Sequence, residues 1–335
     1  MKTPASYPSP TTEAARCFFG VTTNLGWHTM GARLGDAIQF CDAAVHNTFQ
    51  PFTLPKALGP LTWSANYSDG EKVRFPILDL HASFFLGSSK LRRQASGFDA
   101  VVAATSPMAA AFIADSASPP VFQIVDGTRA LFKQDFGINN ISEAAIERER
   151  RHFLRVQHTF ALSNWVRNSI VNDYGVPENR VSVIRPMAPC SSMAPYQPMS
   201  RQPSQRLQVA FIGGDFVRKG GDRLLSWQQE HLHSFVDLHI VTDDRFRDER
   251  IPNTLWYGSL SNSDVIGNLL PRMDVLCHPT TRDCSAIVVA EAAIVGVPSI
   301  TTTVGGIPVI WWSTVAPGIC LTAVRTRTLS SQSLA

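Results

Sequence analysis

Short β-branched and apolar runs alternate with helix-like runs along most of this chain of 335 residues. Strands that alternate with helices indicate a parallel, doubly wound α/β sheet. The predicted strands are 17–22, 100–104, 121–125, 158–162, 181–184, 209–212, 236–241, 255–256, 275–277 and 299–303. The predicted helices include 30–40, 107–114 and 141–156. Residues 46–90 have no clear period, and 63–70 within them is typical of a loop.

A proline-rich segment separates two halves of the chain. Residues 186–203 hold five prolines together with serines and methionines, and this composition marks a domain boundary. The predicted organisation is a disordered polar N-terminus at 1–16, a first domain at 17–186, a linker at 187–207, a second domain at 208–322 and a disordered tail at 323–335. Ligands of such sheets bind at the carboxyl ends of the strands.

Composition and charge exclude several classes of protein. The formal net charge of +3 gives no concentrated basic face of the kind that binds nucleic acid. The six cysteines have no paired spacing, which predicts reduced thiols in a cytoplasmic protein. No run reaches transmembrane length, and no apolar signal core precedes Cys17. Lys90, Arg92 and Arg93 are predicted to lie in a solvated loop, with a peripheral contact to a membrane surface or to a phosphorylated acceptor as the alternative.

A glycine-rich turn with a lysine follows the predicted strand 209–212. It consists of Gly213, Gly214, Asp215, Phe216, Val217, Arg218, Lys219, Gly220 and Gly221. Glycines let a backbone approach a phosphate closely, and the start of a helix offers N–H groups to an anion. Because Lys219 adds a positive charge, the pattern predicts a phosphate site. The alternative is a solvated surface lysine.

Two carboxylates, Asp283 and Glu291, flank seven mostly small or apolar residues near the end of the second half. Glu291 is expected to open a helical run. A Gly-Val-Pro break, the predicted strand 299–303 and the turn Gly305-Gly306 follow. Because these groups and Lys219 come just after predicted strands, we expect them at one edge of the sheet. The alternatives are a helix cap for Glu291 and a turn acid paired with Arg282 for Asp283.

In this order the motifs resemble the donor-binding signature of retaining glycosyltransferases with the GT-B fold, the family 4 type known as glycosyl transferases group 1. Members carry two Glu residues separated by seven residues, then Gly-x-Pro and a Gly-Gly turn, and a Lys-Gly pair upstream. The resemblance covers roughly residues 17–320 and is best from 158 to 308. It implies two Rossmann-like doubly wound parallel-sheet domains that face a central cleft.

The resemblance implies transfer of a sugar from a nucleoside-diphosphate sugar to a glycan or lipid-linked acceptor, with retention of the anomeric configuration, in polysaccharide biosynthesis. Glu291 would accept both ribose hydroxyls, and Asp283 would orient the donor sugar. Lys219 and the amides of Gly220 and Gly221 would stabilise charge on the diphosphate, so that no metal or other cofactor is required. The implied catalytic residues are Lys219, Asp283 and Asp126. The implied donor-binding residues are Gly26, Gly213, Gly214, Arg218, Lys219, Gly220, Asp283, Glu291, Gly305 and Gly306.

The chain departs from the family at several positions. Gly214 stands where the family has arginine, Asp283 replaces Glu, and Val309 replaces an acid. Members continue past the Gly-Gly turn with a strand and several helices, so we expect a shortened second domain with a hydrophobic patch near 305–321, which a homodimer would cover.

Two functional alternatives stay open, a relative that binds nucleotide with weak or no turnover and a nucleotide-sugar epimerase of the same fold. Asp243-Asp244 is predicted to be a turn at the end of a strand, since Arg245 and Arg247 neutralise its charge, with a metal-binding acid pair as the alternative.

Overall fold

The computed structural model describes residues 15–22, 27, 29–31, 33–34, 45–52, 62–66, 68, 72–76, 88–113, 119–185, 206–243 and 246–307. These residues divide into two compact units. The first falls within Met1–Ala65, Lys72–Ile124 and Glu147–Thr159. The second falls within Asn66–Glu71, Val125–Ile146 and Phe160–Ala335, and it contains every residue of the candidate site described below.

A six-stranded sheet is built from the first half of the chain. Its strands are β1 (Ala15–Thr22), β2 (Val45–Phe52), β5 (Ala100–Ala104), β6 (Val121–Val125), β7 (His158–Ala161) and β8 (Val181–Val183), and a separate pair consists of β3 (Thr62–Asn66) and β4 (Lys72–Pro76). The order is β2-β1-β5-β6-β7-β8, and the pairs β1–β2, β1–β5 and β5–β6 are parallel.

The helices of this half follow the strands as the alternating pattern requires. They are α1 (Ser88–Ala95), α2 (Ser106–Ile113), α3 (Arg129–Gln134), α4 (Glu143–Arg155), α5 (Asn164–Asn172) and a short 3₁₀ helix (Glu178–Arg180). Two of them begin at capping side chains, because Thr128 accepts from the Leu131 N–H and Ser163 accepts from the Val166 N–H. The side chains of Phe18, Val101, Met108 and Phe112 pack together in a core.

A five-stranded sheet forms the centre of residues 206–307. Its strands are β9 (Leu207–Ile212), β10 (Val236–Val241), β11 (Thr254–Trp256), β12 (Val275–His278) and β13 (Ser299–Thr301). The order is β11-β10-β9-β12-β13, and every neighbouring pair is parallel. The helical segments are α6 (Gly221–Trp227) with a π turn (Gln228–Leu232), α7 (Asn262–Asp264) with a π turn (Val265–Leu269) and a 3₁₀ turn (Leu270–Arg272), and α8 (Ile287–Ile294).

Apolar side chains cover both faces of this sheet. On one face Ala210 and Leu276 pack with Val289 of α8, whereas on the other face Phe211 and Leu238 pack with Leu224 and its neighbours. Strands buried on both faces read as continuous apolar runs, which is why the sequence locates them well. The expected hydrophobic patch at 305–321 lies outside the described residues except for 305–307, where Ile307 is buried.

The sequence predicts three strands at their full observed length, namely 100–104, 121–125 and 236–241. The predicted loop at 63–70 is wrong, because Thr62–Asn66 forms β3. The predicted solvated loop around Arg92 is also wrong: this residue lies in α1, and its Nη1 donates to the Ala111 carbonyl oxygen at 3.0 Å. Helical backbone at 29–31 and 33–34 matches part of the predicted helix 30–40.

The boundaries of the polar segments differ slightly from the predicted ones. β1 begins at Ala15, inside the segment expected to be disordered, and β9 begins at Leu207, inside the expected linker. The rest of the linker and the tail at 323–335 lie outside the described residues.

Within the part of the chain that the structure describes, no helix is long and apolar enough to cross a membrane. Cys17, Cys277 and Cys284 are free thiols.

Candidate functional site

Three loops meet at the carboxyl edge of the five-stranded sheet. They follow the adjacent strands β9, β12 and β13, and they carry Lys219, Asp283 and Gly305-Gly306 respectively. Because parallel strands end at the same edge, residues that lie far apart in sequence come together there. The structure therefore places these sequence motifs at one edge, as their positions after predicted strands indicate.

Asp283 is the centre of a small charged cluster. Its Oδ2 lies 3.5 Å from Nζ of Lys219 and 3.3 Å from Nε2 of His278, and its Oδ1 accepts from the Ser285 N–H at 3.3 Å. The side chain of Lys219 is 21% exposed and that of Asp283 is 12% exposed, whereas His278 is completely buried. Asp283 is thus paired with Lys219 and His278 and not with Arg282, the partner that the turn-acid alternative names.

The cluster fixes the protonation states of its members. Burial alone would raise the pKa of Asp283, but Lys219, the hydrogen bond from His278 and the charge of Arg218 hold that pKa well below its usual range. Burial lowers the pKa of His278, and Lys219 and Arg218 lower it further, which outweighs the attraction of Asp283. At neutral pH the site therefore holds an ionised carboxylate and a neutral imidazole that donates its Nε2–H to Asp283.

The buried imidazole of His278 predicts a pH-dependent stability. An unfolded histidine titrates near a pKa of about 6.5, and the folded pKa is lower, so below about pH 6.5 the unfolded state binds the extra proton. The stabilisation is complete above that pH and is lost as the pH falls, by up to ~1.4 kcal/mol per pH unit. Chemical denaturation between pH 8 and 5 should show a shallower slope for His278→Gln than for the wild type. Equal slopes would contradict the neutral, buried ring.

Arg218 connects two of the three loops. Its Nε contacts Oδ2 of Asp215 at 2.5 Å, and its Nη1 donates to the carbonyl oxygen of Arg282. The hydroxyls of Thr280 and Thr281 donate to the Arg218 carbonyl oxygen at 3.2 and 2.9 Å. Burial opposes the charge, but Asp283 and Asp215 raise the pKa of Arg218 overall. The structure thus uses this predicted donor-binding residue to hold the loops after β9 and β12 together.

The turn before α6 corrects one part of the predicted phosphate site. The N–H of Gly220 donates to the Val217 carbonyl oxygen at 2.9 Å, and the N–H of Gly221 donates to the Phe216 carbonyl oxygen at 2.8 Å. These two amides are used inside the turn, so they are not the free donors that the sequence analysis expects. Gly220 has φ +80°, a left-handed conformation that favours glycine.

The two glycines that precede this turn differ in their surroundings. A side chain at Gly213 would overlap the aliphatic stem of Lys219, so the absence of a side chain there lets the lysine lie across the end of β9. Gly214 is exposed, and a Cβ at this position would meet no atom within 4 Å. Gly213 thus shapes the position of Lys219, whereas Gly214 leaves open space beside it.

The Gly305-Gly306 turn lies directly against the backbone of Asp283 and Cys284. A Cβ at Gly305, whose φ is +57°, would overlap the Asp283 carbonyl oxygen, and a Cβ at Gly306 would overlap that of Cys284. Only glycine permits this close approach of two backbone segments. The turn therefore fixes the loop that carries the Asp283 carboxylate.

Replacing Gly305 should test this packing. We expect Gly305→Ala to lower the free energy of unfolding by ~2 kcal/mol or more, because it adds both a strained φ and an overlap with backbone atoms. Gly214→Ala is the matched control and should stay within ~0.5 kcal/mol of the wild type, because its Cβ enters open space. Chemical denaturation measures both, and equal effects of the two substitutions would show that the close approach is absent.

Glu291 lies inside α8 and not at its start. The helix begins at Ile287, so the predictions that Glu291 opens the helix or caps it are both wrong. The residue is 4% exposed, and its Oε1 accepts from Nδ2 of Asn262 at 2.7 Å. Asn262 begins the helical segment after β11, at the same edge of the sheet. A buried carboxylate held by an amide is suited to binding vicinal hydroxyls.

Asp126 follows β6 and lies near the loop after β12. A Cβ on its neighbour Gly127 would come within 3.3 Å of the Cys284 sulfur. Burial raises the pKa of the Cys284 thiol well above its usual value, and the charges of Asp126 and Asp283 raise it further, so this thiol stays protonated. Gly26 lies outside the described residues.

The suggested acid pair Asp243-Asp244 is only half described. Asp243 follows β10 and its carbonyl oxygen accepts from the Phe246 N–H at 3.3 Å, whereas Asp244 lies outside the described residues. Among the residues that the structure describes, no group of three or more His, Cys, Asp or Glu side chains could hold a metal ion. The metal independence of the reaction stays a prediction.

Sequence reasoning missed His278 and Asn262 as members of the site. His278 ends an apolar strand and therefore reads as a core residue, although its position five residues before Asp283, at the start of the loop that carries this acid, gives a weak signal. Asn262 contacts a partner 29 residues away, and no local pattern indicates such a contact. Its place just after β11 is the only sequence feature that could have identified it.

The chain is similar in sequence and in fold to known glycosyltransferases. Residues 206–323 match the protein family described as Glycosyl transferases group 1. One segment is 33% identical over 103 residues to the lipopolysaccharide glucosyltransferase WaaG of Escherichia coli (strain K12). This match covers 28% of the present chain and 28% of WaaG, so the chain spans little more than a quarter of the length of that curated relative.

Solved structures share the fold over most of the chain. The lipopolysaccharide outer core galactosyltransferase WaaB in its apo form has a TM-score of 0.58 at 16% identity, covering 91% of this chain and 84% of WaaB. A sucrose-phosphate synthase from Thermosynechococcus elongatus has a TM-score of 0.63 at 12% identity, with 87% and 82% covered. HepE of Anabaena, in complex with UDP-glucose, has a TM-score of 0.57 at 13% identity, with 87% and 81% covered. These similarities confirm the α/β GT-B fold class.

Proposed function

We propose that this chain, whose residues 206–323 match the glycosyl transferases group 1 family and which has a GT-B fold, transfers a sugar from a nucleoside-diphosphate sugar to an acceptor. The observation that carries the proposal is the cluster of Lys219, Asp283 and His278 at the carboxyl edge of the sheet. The buried Glu291 accompanies it, and its partner Asn262 follows β11 at the same edge. An ammonium group beside an ionised carboxylate suits a substrate with an anionic diphosphate and a polar sugar.

Each charged group has one proposed role. Lys219 binds the diphosphate and stabilises the negative charge that grows on it as the bond from the anomeric carbon to the phosphate oxygen breaks. Asp283 accepts hydroxyls of the donor sugar and holds the anomeric carbon toward the acceptor. Glu291, fixed by Asn262, accepts the ribose hydroxyls. Because the leaving group carries the developing charge, Lys219 makes the largest contribution to the rate.

The glycines and Asp126 have supporting roles in the proposal. Gly214 leaves open space in which the donor can approach the loop that holds Lys219, and Gly213 and Gly220 let the chain pack closely around that lysine and Pro279. Gly305 and Gly306 keep the Asp283 loop in place. Asp126 is proposed to face the sugar, which its position near Cys284 supports. The proposed role of Gly26 at the diphosphate rests on the sequence resemblance.

The donor and acceptor are proposed from the relatives. HepE binds UDP-glucose, which favours a UDP-sugar as the donor. WaaG and WaaB act on lipopolysaccharide, which favours a sugar of a glycan or of a lipid-linked glycan as the acceptor. We further propose that the anomeric configuration is retained, as the family resemblance implies, and that the chain works in polysaccharide biosynthesis from the cytoplasmic side.

A thermal-shift panel tests the proposal. UDP-, GDP-, ADP- and TDP-sugars are each added to the wild-type chain, and the unfolding temperature is measured. A ligand at one hundred times its Kd stabilises a protein by about 2.7 kcal/mol. The sugars of one of the four nucleotides should therefore raise the unfolding temperature clearly. No shift with any of the four would overturn the proposal. A shift without release of nucleoside diphosphate would favour the relative that binds without turnover.

Turnover should survive chelation of divalent metals. Lys219 supplies positive charge at the proposed diphosphate position, so we expect the rate in EDTA to stay within about twofold of the rate with added Mg²⁺. The release of nucleoside diphosphate is measured in both conditions. If EDTA abolishes release and Mg²⁺ or Mn²⁺ restores it, the charge compensation comes from a metal, and Asp243 becomes the first residue to substitute.

A further inference from the structure

We propose that His278 is the positioning residue that holds the Asp283 carboxylate when Lys219 leaves it to bind the diphosphate. The inference rests on the proposed function and goes beyond it, because none of the roles proposed above falls to this histidine. Its basis is that one oxygen, Oδ2 of Asp283, is shared by a mobile cation and an immobile ring. The distances are 3.5 Å to Nζ of Lys219 and 3.3 Å to Nε2 of His278.

The two partners of Asp283 differ in their freedom to move. Lys219 has a flexible four-carbon stem, and its side chain is 21% exposed, so its ammonium can turn toward an incoming anion. His278 is fully buried at the end of β12. Its carbonyl oxygen also accepts from Oγ1 of Thr301 at 3.1 Å, which joins the residue to the neighbouring strand β13. The ring therefore stays in place when the lysine moves.

Donor binding changes the balance at Asp283. A diphosphate carries more negative charge than one carboxylate, so it competes for the Lys219 ammonium. Asp283 then keeps two fixed donors, the Nε2–H of His278 at Oδ2 and the N–H of Ser285 at Oδ1. These two contacts hold the plane of the carboxylate while the lone pairs that faced Lys219 become available to a sugar hydroxyl. His278 thus converts the resting ion pair into an oriented sugar-binding carboxylate.

The state of the ring supports this role. Nδ1 of His278 is buried and has no hydrogen-bond partner among the described residues, whereas Nε2 has Asp283. A neutral ring with its proton on Nε2 satisfies the charged partner and leaves the unpaired nitrogen as an acceptor. The charged groups that act on the ring are Asp283, Lys219 and Arg218, which come from the loops after β12 and β9. The opposite tautomer would present a lone pair to the carboxylate and push it away.

Two amide variants separate positioning from packing. In His278→Gln the amide nitrogen reaches close to the former Nε2 position, whereas in His278→Asn it reaches only the former Nδ1 position. Both are polar and uncharged, so Asn serves as the matched control that cannot reach Asp283. The probes are UDP and UDP-glucose, measured by calorimetric titration, together with the rate at which UDP-glucose and water are converted to UDP and glucose.

We expect the two variants to differ in their affinity for UDP-glucose but not in their affinity for UDP. Loss of a hydrogen bond to a charged group is expected to weaken UDP-glucose binding by ~10-fold or more in His278→Asn, with a similar loss of the UDP release rate. UDP alone should bind within ~2-fold of the wild type in both variants, because Lys219 still reaches the diphosphate. His278→Gln should keep UDP-glucose affinity within ~3-fold of the wild type, because its amide replaces the lost donor.

Several outcomes would overturn the inference. Equal losses in the Gln and Asn variants, or an Asn variant that loses UDP and UDP-glucose equally, would mean that His278 serves only packing. If His278→Asn does not fold, nitrogen NMR of the wild-type imidazole decides instead, since the proton must stay on Nε2 before and after UDP addition. A proton on Nδ1 would refute the role. If the wild type binds neither probe, the UDP-sugar proposal fails first and the inference falls with it.

Discussion

Lys219→Met should abolish sugar transfer while the protein remains folded. Methionine keeps the length of the aliphatic stem that lies across Gly213 but removes the charge beside Asp283. Because the proposed role of Lys219 is to stabilise charge that develops on the leaving diphosphate, we expect kcat to fall by a factor of ~10²–10³. Nucleotide binding should weaken less, because much of this stabilisation is made only in the transition state.

Lys133→Met is the control for this substitution. Lys133 also forms an ion pair, in which its Nζ lies 2.6 Å from Oε1 of Glu143. This pair is exposed and joins α3 to the first residue of α4. Exposed pairs contribute ~0–1 kcal/mol, so this variant should keep its activity and nearly all its stability. The release of nucleoside diphosphate is compared in the two variants by a coupled assay. Comparable rates in both variants would remove Lys219 from the chemistry.

Glu291→Ala should remove the ribose contacts and weaken nucleotide binding by ~2 kcal/mol or more, as expected for hydrogen bonds to a charged group. Glu291→Gln keeps the volume of the buried side chain and an oxygen for Asn262, so it isolates the loss of charge. Titration calorimetry with UDP measures the affinity. Glu149→Gln is the control, since Glu149 is a buried glutamate of the first unit, and it should leave UDP affinity unchanged.

A change in the nucleotide makes this prediction more specific. If Glu291 binds the ribose hydroxyls, the effect of Glu291→Gln should shrink when UDP is replaced by 2′-deoxy-UDP, because part of the interaction is already missing. Such a cycle measures the coupling between one side chain and one hydroxyl. Equal losses with both nucleotides would show that Glu291 acts through the shape of α8, and the ribose assignment would be wrong.

The parts of the fold that sequence predicts well are those buried on both faces. β5 is a continuous apolar run, and β6 and β10 are apolar runs interrupted only at Gln123 in β6 and at Asp237 and His239 in β10, so the pattern in each is easily recognised. β2 lies at the end of the six-stranded order and has polar residues and a proline in its sequence, which hides it among loops. An edge strand needs only one neighbour and one covered face, so its composition is less constrained.

The residues of the site also divide into those that the sequence predicts and those that it does not. The motif residues Lys219 and Asp283 follow strand ends, and the topology of a parallel sheet brings such residues together. The predicted start of α8 is wrong because Ala286 precedes the helix and makes no side-chain cap, so the sequence has no capping signal there. The hydrogen bond between Asn262 and Glu291 joins two elements through space. Contacts of this kind depend on packing, which no local pattern encodes.

The central claim is that this chain cleaves the bond between a sugar and a nucleoside diphosphate at the edge formed by Lys219, Asp283 and Glu291. Proton NMR of UDP-, GDP-, ADP- and TDP-glucose, each with the wild-type chain in EDTA and with a glycan acceptor, tests it most directly. The account predicts that UDP accumulates, that the sugar product keeps the α configuration of the donor, and that Lys219→Met stops the reaction. An intact donor signal across all four nucleotide bases, or equal turnover by Lys219→Met, would contradict it.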